Sequence, residues 1–596
     1  MTCRDKIVSE EYIDWIIDFP LEELFETVSE DLDFCYQRVD GNIGIVSLNK
    51  NQMAEESFAL VDYQFYPELL GLQIDSEGMP GELFNPLPLI ASGVTEVQDN
   101  PLNLTGRGVI VGFIDTGINW KNRVFRREDG STRILSIWDQ TDQSGQLPNG
   151  FLYGSEYTQD MLNQALMNDE LGSNDDNGHG TAIASVACGS ILNGGVEFLS
   201  PAYQSDIIMV KVKPCKEYLR DYYLVPERVN ACQSSDIMLA IKYIDGFARA
   251  FQRPVVICIG MGSNYGEHAG NGILSRYIDS ICEKRSRAVV IAGGNEGNAR
   301  HHFRGELTGD SLSENVINGN AVKRMEIDVS AENKGFLMQI WASVPSNLSF
   351  SLQAPSGEMI RPTPVLFQKT LRYRFIYEKT TITVYNTRID QNSGEALILV
   401  RFEKPSVGIW TLEVKDENLF PKVRFDAWLP ISEFLEGEVT FLESEIDTTM
   451  TTPSYAREAI TTSTYNSYNN SFYLSSGRGY GRGGEIKPDV ASPGVNISAV
   501  SNRLGERIRI SNYTGSSMAV GILAGIAAEF MQWAVIDGNA PYIRSNELKN
   551  YLISGAKRER NMYYPNPQWG FGKVDISGVF TFLSRCLVVA LLGWNI

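Results

Sequence analysis

Histidine, net positive charge and closely paired cysteines are all scarce in this chain. Only four of its 596 residues are histidine, and 52 lysines and arginines face 73 aspartates and glutamates, giving a net charge of −21. The acidic balance argues against nucleic acid or an anionic membrane as a partner, because both bind clustered basic surface. The few histidines also limit where imidazole chemistry can occur.

The eight cysteines form no C-x-x-C pair and no zinc-binding spacing. Several lie in apolar runs, so we expect buried free thiols rather than disulfides. No acidic cluster has the spacing of a Ca²⁺-binding loop, and we interpret Asp175 and Asp176 as solvated loop carboxylates rather than as a ligand pair. We therefore predict neither a metal nor another cofactor.

Long apolar runs are missing from both ends of the chain. The first 14 residues are charged throughout and lack the apolar core of a secretory signal. The apolar tail 586–592 follows Arg585 and is far shorter than the roughly 20 residues that span a bilayer. We expect no signal peptide and no membrane span, and we interpret the tail as a terminal helix or docking segment.

The first 90 residues predict a separate small unit. Its pattern predicts helices over 10–17 and 21–28, a strand over 42–48, and a glycine- and proline-rich link over 78–88. From Gly106 onwards, short apolar β-branched runs predict strands at 109–114, 205–212, 255–259 and 288–292, with a helix over 235–251. This alternation is typical of an α/β fold whose parallel sheet is covered on both faces and carries its active groups at the carboxyl ends of the strands.

A different pattern interrupts the α/β alternation between about 310 and 445. Short alternating strands separated by turn residues are predicted at 325–329, 336–342, 348–352, 371–377, 381–385, 396–402, 408–414 and 423–427. This pattern is typical of an antiparallel sandwich. Because the α/β pattern resumes afterwards, we interpret it as an insertion.

Ser517 is the candidate nucleophile. It follows Gly515 and precedes a run of small and apolar residues that predicts a buried helix. A hydroxyl at a helix N-terminus lies beside free backbone N–H groups, which suits attack on a carbonyl that develops negative charge. Taken alone, the same pattern fits a serine helix cap at least as well.

Three further residues supply what a serine nucleophile needs. His179 stands between two glycines at a predicted helix start and could take a hydroxyl proton, although a capping histidine would look the same. Asp115 ends a buried strand, where a charge is costly unless paired, and could orient the imidazole. Its Asp-Thr-Gly context also suits aspartic proteases, but these need two such aspartates and the chain has one. Asn295 follows Gly293 and Gly294 and could donate to an oxyanion or simply form a turn.

The order Asp115, His179, Asn295, Ser517 resembles the subtilisin-like serine proteases. The motifs that carry the resemblance are Phe113-Ile114-Asp115-Thr116-Gly117, His179-Gly180-Thr181, Gly515-Ser516-Ser517-Met518-Ala519, and Lys487-Pro488-Asp489 shortly before the serine. The resemblance implies a substrate-cleft strand at Gly260, Met261 and Gly262, with Gly293 and Gly294 opposite as the wall of the S1 pocket. It also implies peptide-bond hydrolysis by a Ser-His-Asp triad.

Within that family, the chain is most similar to the Csp germination proteases of clostridial spores. This resemblance implies a subtilisin-like parallel-sheet catalytic domain (91–310 and 446–585) with a jelly-roll insertion (311–445), a small α+β prodomain (1–90) and an apolar tail (586–596). It implies that the prodomain binds in the enzyme's own cleft and is cut off between about Leu70 and Gln98. It further implies a protein substrate, the proenzyme of a spore-cortex hydrolase, and deposition in the cortex or coat region of the spore.

Two departures keep other hypotheses open. Ser516 stands where the family usually has threonine, and Val520-Gly521 replaces a small residue and proline. The first alternative is therefore a weak or inactive scaffold or sensor that keeps the triad. The second, a secreted nutrient protease, is disfavoured by the lack of a visible signal peptide.

Overall fold

The computed structural model describes residues 1–20, 33–52, 65–81, 84–168, 171–191, 198–308, 316–317, 320–364, 369–417, 422–500 and 510–593. The helix predicted over 21–28 lies outside these ranges.

A nine-stranded, mostly parallel sheet forms the centre of the molecule. In spatial order its strands are Ser471–Phe472, Ile460–Asn466, Arg287–Ala292, Val255–Ile259, Ile110–Asp115, Asp206–Lys211, Ile134–Asp139 and Ser155–Thr158, with Val490–Pro493 paired to Ile460–Asn466. Only the pairings of Ser155–Thr158 and Ser471–Phe472 are antiparallel. Every residue of Ile110–Asp115 and Val255–Ile259 is buried, as strands covered on both faces require. The four strands predicted from apolar runs are all present.

Helices cover both faces of this sheet. They are Gln159–Asn168, His179–Cys188, Ser234–Ala250, Ile273–Cys282, Ser516–Met531, Ser545–Gly555 and Ile576–Gly593, with Leu87–Ala91 and Val94–Gln98 before the strand Ile110–Asp115. The helix Glu217–Tyr223 packs instead in a cluster with the N-terminal unit and the insertion. By length and composition, Ser516–Ile536 is the one span among the described residues that could cross a membrane, but 83% of its apolar window is buried inside the protein. This burial is typical of a core helix. The apolar tail continues the last helix to Gly593, as the terminal-helix interpretation predicts.

The N-terminal unit contains the helix Cys3–Val8 and a three-stranded antiparallel sheet of Tyr12–Ile17, Ile43–Asn49 and Phe34–Asp40. The strand predicted over 42–48 is confirmed, but the helix predicted over 10–17 is wrong. Ile13 and Trp15 pack into one apolar cluster and Ile16 into another, so both faces of this segment are buried. A strand with two apolar faces loses the alternation that would identify it.

The expectation of free cysteines is wrong for one pair. A disulfide joins Cys3 to Cys35 and so ties the first helix to the strand Phe34–Asp40. The two cysteines are 32 residues apart, which gives no local spacing signal. The other cysteines whose side chains are described are buried and free: Cys188, Cys215, Cys232, Cys258 and Cys282.

The segment that leaves the N-terminal unit is more ordered than a linker. Leu69–Leu72 forms the middle strand of a small sheet, between Ala231–Gln233 and Met261–Gly262. Ser76–Gly81 then pairs with Ile510–Thr514, which in turn pairs with Ile497–Val500. The glycine- and proline-rich link predicted over 78–88 is therefore partly a strand.

Two six-stranded antiparallel sheets form the insertion. One contains His302–Thr308, Lys422–Trp428, Gly335–Ala342, Ala396–Glu403, Thr381–Thr387 and Lys369–Arg374. The other contains Val316–Ile317, Asn320–Val329, Gly408–Asp416, Leu348–Gln353, Met359–Pro364 and Val439–Phe441. All eight predicted strands correspond to observed strands, and their inward faces share one apolar core. This two-sheet architecture is consistent with the expected jelly-roll.

The insertion docks on the parallel-sheet domain through stacked rings and a buried carboxylate. Trp428 lies between His268 and His302, with ring centroids 4.1 and 4.6 Å away and nearly parallel planes. Asp426 accepts hydrogen bonds from His302 Nε2 at 3.0 Å and Arg482 Nε at 2.9 Å. Burial opposes ionisation of Asp426, but His302 and the arginines around it outweigh burial and hold its pKa at about 2.

Substitution of Asp14 tests how the N-terminal unit is attached. Asp14 is buried and accepts hydrogen bonds from Lys216 Nζ at 2.9 Å and from Ser47 Oγ at 2.6 Å. Asp14→Ala would leave the Lys216 ammonium buried without its counter-charge, which costs about 3–5 kcal/mol. We expect a lower urea midpoint for unfolding of the N-terminal unit, followed by the fluorescence of its Trp15. Asp18→Ala is the control because the Asp18–Arg276 pair is exposed and is worth about 0–1 kcal/mol. Equal shifts in both variants would contradict this account.

Candidate active site

Asp115, His179 and Ser517 lie in one hydrogen-bonded line. Asp115 is the last residue of its strand, His179 is the first residue of its helix, and Ser517 is in the first turn of the buried helix Ser516–Met531. His179 Nδ1 lies 2.8 and 2.9 Å from the two carboxylate oxygens of Asp115, and His179 Nε2 lies 2.8 Å from Ser517 Oγ. With Nδ1–H donated to Asp115, Nε2 is free to accept the serine proton.

The surroundings of His179 favour its protonated form. Burial opposes the charge, but the attraction of Asp115, with smaller contributions from Asp175 and Glu433, outweighs it and raises the pKa of His179 above its ordinary value of 6.5. An imidazole with a raised pKa is a stronger base once it is neutral.

Asp175 corrects one sequence interpretation. It is not a solvated loop carboxylate but is fully buried behind the histidine. Its oxygens accept hydrogen bonds from Gly178 N–H at 2.8 Å, Thr181 N–H at 2.8 Å and Thr116 Oγ1 at 2.9 Å. Asp175 therefore caps the helix that begins at His179 and ties it to the Asp115 loop. Asp176 is the exposed one, with 80% of its side chain accessible and Lys211 Nζ at 3.2 Å.

Asn295 lies beside the nucleophile. Its Oδ1 accepts the Ser516 N–H at 3.0 Å, so the NH₂ end of the amide is the end available to a developing oxyanion. Ser516 therefore contributes its backbone to the position of this amide. The backbone N–H of Ser517 is the second donor that could bind the oxyanion.

The N-terminal segment occupies the cleft as a substrate would. Leu69–Leu72 runs antiparallel to both cleft strands, pairing Gly71 with Gly262 on one side and with Ala231 on the other. Beyond it, Gln73 N–H donates to Gly260 O at 3.2 Å, and Ser517 N–H donates to Gln73 O at 3.0 Å. The Gln73 carbonyl therefore lies at the nucleophile, with its oxygen on a donor of the oxyanion site.

The chain continues past the nucleophile without leaving the cleft. Asp75 N–H donates to Thr514 O at 3.0 Å, and the strand Ser76–Gly81 follows along Ile510–Thr514. Gly515 has φ +153°, and a Cβ there would lie 2.9 Å from Gln73 O and 3.0 Å from Ile74 Cα. Glycine at 515 lets the backbone around residues 73–75 approach the nucleophile helix.

Gly262 of the cleft strand and Gly294, which the resemblance implies is part of the S1 wall, both lie against Thr451. A Cβ on Gly262 would lie 2.2 Å from Thr451 Oγ1, and one on Gly294 would lie 2.7 Å from the same oxygen. Gln73 Nε2 donates to Gly262 O at 3.3 Å. Sequence reasoning missed Thr451 because it follows the insertion and is 157 positions after Gly294.

The other three histidines have structural roles. Burial lowers the pKa of His268 to about 3, and its ring nitrogens lie 3.1 Å from the carbonyl oxygens of Met450 and Asn264. His301 Nδ1 lies 2.5 Å from Glu296, and His302 bonds to Asp426. In the part of the chain that the structure describes, no group of three or more His, Cys, Asp or Glu is placed to hold a metal ion.

Comparison with known proteins identifies the family. The subtilase family model matches residues 106–374 and 437–572, more than half of the chain. The chain belongs to the subtilase family. This subtilase is a serine peptidase of the subtilisin-like α/β fold.

Among solved structures, this subtilase is similar to the CspB protease of Clostridium perfringens. The two share 28% sequence identity with a TM-score of 0.70, over 83% of this chain and 98% of that one. A second match, the epidermin leader peptide processing serine protease EpiP of Staphylococcus aureus, has 13% identity and a TM-score of 0.43, over 96% of this chain and 98% of that one.

A curated relative matches a shorter part of the sequence. The subtilisin-like protease SBT3.10 of Arabidopsis thaliana is 37% identical over 100 residues, which are 15% of this chain. The matched region spans only 13% of that relative's length.

The pH dependence of hydrolysis tests the role of His179. Because the neutral imidazole is the base and its pKa is raised above 6.5, kcat/KM should fall as the pH drops through a value above 6.5. The assay is cleavage of a reporter peptide with the sequence of residues 69–73. Asp115→Asn should reduce kcat by about 10⁴ because the imidazole loses its tautomer and its counter-charge. An acid limb below 6.5, or a small effect of Asp115→Asn, would contradict the assignment.

Asp175→Ala tests the second buried carboxylate. It would leave the N–H groups of Gly178 and Thr181 without their acceptor, which costs about 1–3 kcal/mol for each buried group. We expect reduced kcat together with a lower melting temperature. Asp176→Ala, at the exposed neighbouring position, should change neither. Equal effects of the two substitutions would show that Asp175 does not hold the histidine helix.

Proposed function

We propose that this subtilase is an endopeptidase whose first substrate is its own Gln73–Ile74 bond. The observation that carries the proposal is the position of the Gln73 carbonyl, whose oxygen accepts the Ser517 N–H at 3.0 Å while Ser517 Oγ lies 2.8 Å from His179 Nε2. Segments on both sides of the bond are held by β-pairing, so the reacting atoms are pre-positioned. This bond lies within the window between Leu70 and Gln98 that the family resemblance implies.

The proposed mechanism proceeds through an acyl-enzyme. Ser517 Oγ attacks the Gln73 carbonyl carbon while His179 Nε2 accepts its proton and Asp115 stabilises the imidazolium. The Ser517 N–H and the Asn295 amide hold the oxyanion, and the loss of one such donor typically costs ~10²–10³ in rate. His179 then protonates the Ile74 nitrogen as the peptide bond breaks. Water, deprotonated by the same histidine, hydrolyses the ester and frees Ser517.

The physiological role that we propose follows from similarity. The likeness to the CspB protease and the Csp group supports a role in spore germination, with the proenzyme of a spore-cortex hydrolase as the protein substrate. Residues 1–73 would act as an intramolecular chaperone and inhibitor, and the protein would be deposited in the cortex or coat region of the spore. The occupied cleft supports the inhibitor role because no second substrate can enter while Leu69–Leu72 lies in it.

A scaffold or sensor that keeps an inactive triad is the second candidate. It is favoured by the departures at Ser516 and at Val520-Gly521, next to the nucleophile. Two contacts weigh against it. The backbone N–H of Ser516 still bonds to Asn295, and Gly521 lets the nucleophile helix approach the histidine helix, since a Cβ there would lie 3.1 Å from Val186 Cγ1.

Intact-protein mass spectrometry of the wild type and of Ser517→Ala tests the proposal. We expect the wild type to yield two pieces, residues 1–73 and 74–596, and Ser517→Ala to remain whole. Fluorophosphonate labelling at Ser517 should occur in the wild type once the N-terminal piece has been removed. An uncut wild type that also resists the fluorophosphonate would support the scaffold. Cleavage in both proteins would indicate another protease.

A further inference from the structure

A short segment after the last long strand of the insertion covers the cleft. We call it the roof: residues 431–434, consisting of Ile431 and the 3-10 turn Ser432–Phe434. Leu69–Leu72 is the middle strand of its small sheet, so its successive side chains point to opposite faces. Leu70 and Leu72 are packed in the apolar cluster of the parallel-sheet domain, whereas Gly71 faces the roof.

The roof crowds position 71, so a side chain there would have to displace roof side chains. A Cβ on Gly71 would lie 2.6 Å from Ile431 Cδ1, 3.1 Å from Phe434 Cε1 and 3.1 Å from Glu433 Oε2. Gly71 is not among the residues with positive φ, so its backbone would accept any L-amino acid. The need for glycine is therefore steric and arises from the roof.

A buried carboxylate beside the oxyanion site holds the roof in place. Glu296 Oε1 accepts the backbone N–H and the hydroxyl of Ser432, both at 2.9 Å. Its other oxygen accepts from His301 at 2.5 Å and Asn264 at 3.2 Å. Burial opposes ionisation, but His301 and the Ser432 bonds outweigh it and lower the pKa of Glu296. Glu296 directly follows Asn295, so lifting the roof would break two hydrogen bonds to the residue next to the oxyanion amide.

We propose that the roof narrows the third subsite of the cleft, so that this peptidase favours segments with glycine two positions before the residue whose carbonyl is attacked. The substrate class is an extended peptide with glycine between apolar residues, as in Leu70-Gly71-Leu72-Gln73. The proposal rests on the proposed self-cleavage and adds the residue that the cleft selects. The same preference would apply to a protein substrate, because it would bind in the same cleft.

Gly71→Ala in the full-length chain is the direct test. The rate of appearance of residues 74–596 is measured after pulsed cell-free synthesis. Overpacking at a tight contact typically slows a step by about 5- to 150-fold, and we expect a loss of about tenfold here. Gly246→Ala is the matched control, since a Cβ at this helix position meets nothing within 4 Å and its rate should equal that of the wild type.

Ile431→Val supplies the rescue. It removes only the Cδ1 atom that makes the shortest contact, and an Ile→Val change in a core is mild. In the Gly71→Ala background it should move the cleavage rate back toward that of the wild type, whereas it would not repair a folding defect. A Gly71→Ala chain that is cut at the wild-type rate overturns the proposal, as does a folded Gly71→Ala chain whose cleavage Ile431→Val fails to improve.

A reporter-peptide comparison removes any dependence on folding of the variant. Processed wild-type enzyme, freed of its N-terminal piece, is assayed with Leu-Leu-Gly-Leu-Gln and Leu-Leu-Ala-Leu-Gln reporters. We expect kcat/KM at least about tenfold higher for the glycine peptide, and a smaller ratio for Ile431→Val enzyme. Equal cleavage of the two peptides overturns the glycine requirement but leaves the proposed function standing. Failure of both peptides, together with an uncut wild-type chain, removes the proposed function itself.

Discussion

The buried hydrogen bond between Asp115 and His179 constrains the rest of the molecule. Both side chains are only 1% exposed, and a carboxylate at this depth is tolerated only with a partner. The histidine helix must therefore begin against the end of a central strand. Gly180 allows this approach, because a Cβ there would lie 2.1 Å from Gly117 O. Asp175 holds the start of the same helix by accepting the N–H groups of Gly178 and Thr181. The nucleophile helix then needs only to present Ser517 to an imidazole that is already in place.

Four strands of the central sheet and the catalytic triad could be predicted from sequence because their signals are local. Strands buried on both faces appear as apolar runs, and Asp115, His179 and Ser517 each stand at a recognisable strand end or helix start. Asp175 was misjudged because its burial depends on Thr116, which lies 59 residues earlier in the chain. The strand Tyr12–Ile17 looks like a helix in sequence because both of its faces are buried, Asp14 included, which removes the usual alternation. The cleft segment and the roof give no local signal, since each is defined by a partner hundreds of residues away.

The insertion is part of the active site rather than an appendage to it. Its stacked Trp428 and the Asp426 hub attach the sandwich to the parallel-sheet domain, and the chain that leaves it passes directly over the cleft. Glu296, the residue after Asn295, accepts the Ser432 N–H and so connects the roof to the oxyanion site. Burial and neighbouring Glu296 also raise the pKa of Glu433 to about 7, although the His179 charge opposes this. The insertion therefore places a titratable carboxyl group near the catalytic histidine.

The strand Ser76–Gly81 has a thermodynamic consequence for a cut at Gln73–Ile74. Ordinary proteolysis is drawn forward partly because its two products diffuse apart and gain translational and rotational freedom. Here Leu69–Leu72, before the bond, is paired with two cleft strands. Ser76–Gly81, after the bond, is paired with Ile510–Thr514. Breaking the bond therefore releases neither side. The translational and rotational entropy of the products therefore increases only when the N-terminal unit dissociates. Under the proposed self-cleavage, scission and departure of the N-terminal unit are thus separate events, and the cut chain stays assembled until that unit leaves.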